Sequence, residues 1–398
     1  MDYMKRALEL KERLVQDRRF LHQHPELRSD LPITLSFVEE RLKTLGLDFH
    51  RCGGSGLTAT VGGKRPGPVL LLRADMDALP MQEESGLEFA SLTSGQAHCC
   101  GHDTHTAMLL CAAQMLKENE DALEGVVKLM FQPDEEGGYG CLNMVNDGIL
   151  ENPKVDAALA LHVDAAAPLG SFAYSMGPAF SSNDVFSIKV IGKAGHGARP
   201  HQSVDPINAA AHILVGLETL IAREANPSET CMLCVGSIES SSKAFNIIPE
   251  SVLMKGSIRT YNHGQREMLV RRLKEVAEYT AMAFACRAEV QYEVQMPPLI
   301  VNDDLELEMR TYLDEVLTGF GGVVEPPVAK MGSEDFTHVT NRVPSAFFFI
   351  GAGPDREHGG QYSQHNTKVV FNEEMLPMGA AGYAYCAEKW LANHKGTR

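Results

Sequence analysis

Pro68-Val69-Leu70-Leu71-Leu72-Arg73-Ala74-Asp75-Met76-Asp77 opens as an almost unbroken apolar run and closes on two carboxylates. A run this short, without polar alternation, reads as a strand covered on both faces. Val126 to Gln132 repeats the pattern and leads into Asp134-Glu135-Glu136. Ala157 to Val163 repeats it again with His162 at its end, and Ala346 to Ile350 is a further buried run. Gly56 to Val61 is a companion strand. Helical patterns occupy Met4 to Leu21, Leu31 to Leu45 and the stripe from His102 to Met115, where His102-Asp103-Thr104 supplies the start signal. Strands alternating with helices predict an α/β fold, a mostly parallel sheet flanked by helices. In such sheets ligands sit beyond the carboxyl ends of the strands, where these polar groups emerge.

The rhythm changes after Ser181. Asp184 to Ile191 alternates like a half-exposed strand, Pro206 to Glu224 is helical, and Thr230 to Ile238 and Ser251 to Arg259 are strands. A helix over Gln265 to Ala285 and a strand over Arg287 to Gln295 complete the set. That order predicts a ferredoxin-like α+β domain inserted into the larger one. The expected partition is 1–181 and 296–398 for the larger domain and 182–295 for the insertion. A chain of 398 residues is too long for one core of usual size.

The formal charge of −16 argues against nucleic acid as a partner, which would want a basic face. No apolar run is long enough to span a membrane, and Met1 to Gln16 is charged rather than signal-like. Nine cysteines without framework spacing suggest reduced thiols. A cytoplasmic protein is expected.

Three distant segments are rich in metal-ligand side chains: His98-Cys99-Cys100-Gly101-His102-Asp103, Gln132-Pro133-Asp134-Glu135-Glu136-Gly137-Gly138 and Leu161-His162-Val163-Asp164. His365 is a fourth candidate. Thiolate, imidazole and carboxylate are the donors that zinc-like ions take, and adjacent glutamates can divide ligand and base duties. The constellation describes a two-metal hydrolase. Cys100 lies at a helix start, which favours its thiolate. Cys99 reads as a core residue, His98 and His105 as structural or supporting groups, and Asp75 and Asp77 as carboxylates that orient a ligand histidine. In the insertion, His196 sits between glycines and can donate to a developing oxyanion. Asn246 and Arg259 are donors able to fix a carboxylate. Cys231-Met232-Leu233-Cys234 has the CxxC spacing but lies in an apolar strand with no second pair.

Arg18-Arg19-Phe20-Leu21-His22-Gln23-His24-Pro25-Glu26-Leu27, Arg73 to Pro80, Cys100-Gly101-His102-Asp103, Glu135-Glu136-Gly137-Gly138 and Gly195-His196 together carry a family resemblance over nearly the whole chain. The chain resembles the aminoacylase/carboxypeptidase metallopeptidase family, in the amidohydrolase branch that includes hippurate, auxin-conjugate and N-acetyldiaminopimelate hydrolases. The resemblance implies a zinc-peptidase-like sheet with an inserted lid and dimerisation domain. It implies that Cys100, His102, Glu136, His162 and His365 hold two divalent ions and that Glu135 is the general base. It further implies a homodimer in which His196 serves the partner's site while Asn246 and Arg259 bind the substrate's carboxylate. A thiolate ligand shifts preference toward zinc, cobalt or nickel, whereas manganese favours oxygen donors. The expected reaction is hydrolysis of the amide of an N-acyl amino acid. A dipeptidase or aminopeptidase on the same fold and a catalytically silent binding relative are the alternatives.

Overall fold

The computed structural model describes residues 1–320, 323–324, 330–355 and 360–396. The chain forms two compact units: Met1–Ala179, Val301–Ala329 and His338–Arg398 in the larger, Phe180–Ile300 and Lys330–Thr337 in the smaller.

The larger unit is built on an eight-stranded sheet in the order Phe49–Cys52, Gly56–Gly62, Val126–Gln132, Val69–Asp75, Ala157–Asp164, Ser345–Gly351, Ser171–Ala173, Val323–Val324. Its four central strands run parallel, with Val69 opposite Val126 and Ser345 opposite Ala158. Gly56–Gly62 and Ser171–Ala173 pair antiparallel at either side of them. Every residue of Val69–Asp75 and Ser345–Gly351 is buried, as their unbroken apolar runs demand. Helices Lys11–Gln23, Pro32–Thr44, His102–Glu118, Asp303–Leu317 and Leu376–Asn393 flank the sheet and share one core with it. The α/β expectation therefore holds, with four parallel strands in the middle of the sheet and a short parallel pairing of Val323–Val324 with Ser171–Ala173 at one edge.

Two local expectations need correction. The first helical pattern is broken at Leu10 into Tyr3–Glu9 and Lys11–Gln23. The helix from His102 to Glu118 has Gly101 at its N-cap and no side-chain cap, because Asp103 bonds Arg18 and His22 instead.

One polar pair is sealed inside the sheet. Arg73 and Asp75, both with fully buried side chains, form an ion pair at 2.7 Å, and Arg73 Nε donates to Gln132 Oε1 at 2.9 Å. Removing one partner of such a pair strands a buried charge and costs about 3–5 kcal/mol.

The smaller unit is a four-stranded antiparallel sheet in the order Cys231–Ser240, Ser251–Thr260, Asn183–Ile191, Arg287–Met296. Helices Pro206–Thr219 and His263–Ala283 pack on the sheet, giving the βαββαβ order of a ferredoxin-like layer. Phe186, Ile188 and Val190 point to the helices, where they meet Ile213, Leu217, Leu269 and Leu273. The helix expected over Pro206 to Glu224 ends at Thr219, and a π-helical turn covers Leu220–Glu224. Among the described residues, no helix is long and apolar enough to cross a membrane.

Candidate dinuclear metal centre

The strand ends of the larger unit deliver the site. Cys100 arrives at the end of the irregular segment that follows Val69–Asp75, and His102 opens the helix His102–Glu118 just after it. The segment's entry and exit are tied together by Leu79 and Ala97, whose amides and carbonyls exchange bonds at 3.0 Å. Gly101 makes the close turn possible. It has φ +95°, and a Cβ there would lie 2.4 Å from Val163 Cγ2 and 3.1 Å from the Phe371 ring. Glu135 and Glu136 follow Val126–Gln132 through Asp134, itself at φ 55°. Asp77 fixes the glutamates by their backbone: its carboxylate accepts from the amides of Glu135 at 3.0 Å and Glu136 at 3.2 Å.

The structure brings the five candidate ligands together in two trios. In Cys100–His102–His162 and in Cys100–Glu136–His365 the donor atoms lie within 4.8 Å of one another. Cys100 belongs to both. Its Sγ is 3.6 Å from His162 Nε2, and His365 Nε2 is 3.4 Å from Glu136 Oε1. His365 sits at φ 62°, and its amide donates to Cys99 O at 3.0 Å. Glu135 joins His102 and Glu136 in a further trio, its Oε2 4.0 Å from His102 Nε2.

Several features show that these donors suit a cation. His102 Nδ1 donates to Asp77 O at 2.8 Å, and His162 Nδ1 donates to Val163 O at 2.7 Å. Anchoring each imidazole by one nitrogen leaves Nε2 for the ligand. The buried Nε2 of His102 meets hydrogen-bond geometry with no described residue. Burial, then the charge of His105, holds His162 well below its usual range and so neutral. Burial alone would do the same to His102, but Asp75 and Cys100 outweigh it and raise the ring well above that range. A position that draws a proton so strongly draws a metal cation for the same electrostatic reason.

Cys100 departs from expectation. Burial, followed by the charge of Glu136, pushes its thiol up to about 12, outweighing the favourable helix start. A bound cation is what would restore the thiolate.

Asp77 holds the ring of His102 as expected, its carbonyl 2.8 Å and its carboxylate 3.5 Å from Nδ1, whereas Asp75 bonds a different histidine. Asp75 Oδ1 accepts from His105 Nδ1 at 2.5 Å, while His105 Nε2 accepts from the Val163 amide at 2.9 Å. Burial would raise the Asp75 carboxyl, but Arg73 and then His102 hold it well below the carboxylate range. His105 thus spends both nitrogens joining two strand ends. Its spacing of three residues from His102, one face of a helix, was the available signal.

His196, Asn246 and Arg259 lie in the smaller unit. His196 is exposed on the two-residue strand Gly195–His196, paired with Ile247–Ile248, and Asn246 O accepts from the Gly197 amide at 2.9 Å. His196 and Asn246 therefore share one ribbon. Arg259 stands on Ser251–Thr260, where its Nη1 donates to Met331 O at 3.2 Å.

Residues 71–389 match peptidase family M20/M25/M40, and the chain belongs to that family. It is 35% identical over 363 residues to the N-acetyl-L-cysteine deacetylase of Bacillus subtilis (strain 168), covering 91% of this chain and 86% of that one. It is 36% identical over 388 residues to the IAA-amino acid hydrolase ILR1-like 4 of Arabidopsis thaliana, covering 96% and 87%. Among solved structures, the YXEP protein of Bacillus subtilis, described as a dinuclear metal binding peptidase of the M20 family, has a TM-score of 0.81. That pair is 27% identical over 96% of this chain and 99% of the other. The chain is a metal-dependent hydrolase acting on amides.

Proposed function

We propose that the chain cleaves the amide of N-acyl amino acids, releasing a carboxylate and a free amino acid. The sulfur of Cys100, common to two trios of donors with Glu135 alongside, carries this reading. Cys100, His102, Glu136, His162 and His365 would hold two divalent ions, and their mixed sulfur, nitrogen and oxygen set suits zinc, cobalt, nickel or manganese. When bound, such ions supply Lewis acidity at the scissile amide. Glu135 takes a proton from the attacking water and returns it to the leaving nitrogen. The acyl amino acid relatives support this substrate class.

The same reading has Asn246 and Arg259 bind the substrate's carboxylate. It has His196 donate to the oxyanion in the site of a second copy, within a homodimer formed through the smaller unit. The exposure of His196 supports that role. Nine cysteines without framework spacing support a reducing compartment, the cytoplasm.

The test is a panel of N-acetyl, N-benzoyl and N-indoleacetyl amino acids beside free-amine dipeptides, run on apo-protein with each metal restored singly. Metal-dependent release of amino acid from the acylated members is expected. Faster turnover of the free-amine dipeptides would replace this reading with a dipeptidase or aminopeptidase.

A further inference from the structure

Next to the ligand-bearing turn of the larger unit lies a buried chain of charged groups that the proposed chemistry does not use. Arg18 and His22 stand one turn apart on Lys11–Gln23, and both reach Asp103 Oδ2, Arg18 Nε and His22 Nδ1 each at 2.8 Å. Arg18 Nη1 also donates to Glu373 Oε1 at 3.2 Å, and His22 Nε2 lies 3.1 Å from Glu83 Oε1. Glu83 Oε2 accepts in turn from the Ser91 amide at 2.7 Å. Arg18 is 0%, Asp103 1% and His22 4% exposed.

The positions at the ends of this chain matter. Asp103 adjoins His102, while Glu83 and Ser91 belong to the irregular segment that delivers Cys100. The same region of the N-terminal chain adds two backbone ties to that segment, Leu92 N to Gln23 O at 3.0 Å and Ala78 N to Glu26 O at 2.8 Å. Stability alone gives no reason for such a network, since well-packed apolar residues often serve as well or better. Fixed direction is what a buried hydrogen-bonded network adds.

We propose that Arg18 and His22 are positioning residues for the dinuclear centre. They clamp Asp103 and Glu83, and through them hold His102 and the Cys100 segment at the separation a metal pair requires. This rests on the ligand set assigned above. His22 bridges two carboxylates with two ring N–H groups, and Arg18 serves two acceptors with one planar fork. Neither glutamine nor lysine reproduces those geometries.

The experiment uses the full chain loaded with cobalt(II), whose thiolate-to-metal absorption reports ligation by Cys100, with chelator competition giving affinity. His22→Gln and Arg18→Lys should each weaken cobalt binding by about tenfold or more and diminish the sulfur band. Their kcat should fall with KM little changed. His22→Gln keeps a polar side chain of similar reach, so the test survives a poorly folding Arg18→Lys. Asp17→Asn, on the same helix, breaks the contacts to Arg13 and Arg41 without touching the network, and it controls for lost stability. Wild-type affinity and band in His22→Gln overturn the proposal. So does an equal loss of affinity in Asp17→Asn at the same drop in Tm. If the wild-type protein shows no sulfur band, or Cys100→Ser leaves it intact, the ligand assignment itself is wrong.

Discussion

The strand Val69–Asp75 is buried at all seven positions, whereas Asn183–Ile191 buries alternate residues and shows the others to solvent. This contrast between the two units governs how each can present chemistry. In the larger unit the carboxylates and His162 of the candidate site appear where buried strands end, and neighbouring backbone groups hold them. Asp77 holds the amides of two glutamates and the ring of His102 at once. In the smaller unit His196 sits on an exposed ribbon whose neighbour Phe245 is 103% exposed. Substitution there should change a reaction without disturbing a fold, while substitution in the larger unit should seldom separate the two.

Glu135→Gln gives the largest expected effect and is the exception that tests the rule. Turnover should fall by roughly 10³–10⁴-fold with metal content unchanged, because the role assigned is proton transfer rather than ligation. Loss of metal along with activity would make Glu135 a ligand. His196→Ala should cost about 10²–10³ in kcat with Tm unaltered; an equally active variant removes the residue from the mechanism.

Gly101→Ala tests the rigid side. The new methyl collides with Val163 and Phe371 at a left-handed position, so stability should fall by roughly 2–3 kcal/mol. Denaturant titration measures this, and a variant of normal stability would mean that the turn relaxes freely.

Glu306 tests the interior by pH. Burial, partly offset by the Phe347 and Ser175 amides, raises its carboxyl well above the usual range. The unfolded chain therefore loses this proton first. Its stabilising contribution is whole below about pH 4 and then declines by up to ~1.4 kcal/mol per pH unit until the folded group ionises. Glu306→Gln should flatten that slope and raise Tm by roughly 2 °C at pH 8. An unchanged slope would assign the buried proton elsewhere. Phe245→Ser, at the small end of the scale, should alter the stability of the isolated chain by less than about 0.5 kcal/mol.

The central strands were legible because unbroken apolar runs end in polar side chains, and the set Cys100, His102, Glu136, His162 and His365 was legible from clustered metal-binding side chains together with the family resemblance. The ferredoxin-like layer was legible from alternation. What stayed hidden depends on partners distant in sequence. Nothing near Asp103 indicates that Arg18 and His22, more than eighty positions away, take the carboxylate from its capping role. The helix start suggested an acidic Cys100 thiol, but burial and a neighbouring glutamate reverse the sign. Arg73 reads as the end of an apolar run, yet it is a fully enclosed cation that keeps Asp75 charged.

Cys100 is the donor common to the trio with His102 and His162 and the trio with Glu136 and His365. On the proposed ligand set, chemistry at that one sulfur, whether alkylation or oxidation past the sulfenic stage, would deprive both trios of a donor in a single event. Damage to His162 or His365 would reach only one trio. Tolerance of oxidants would then rest on the protection of a single atom, the buried Cys100 sulfur.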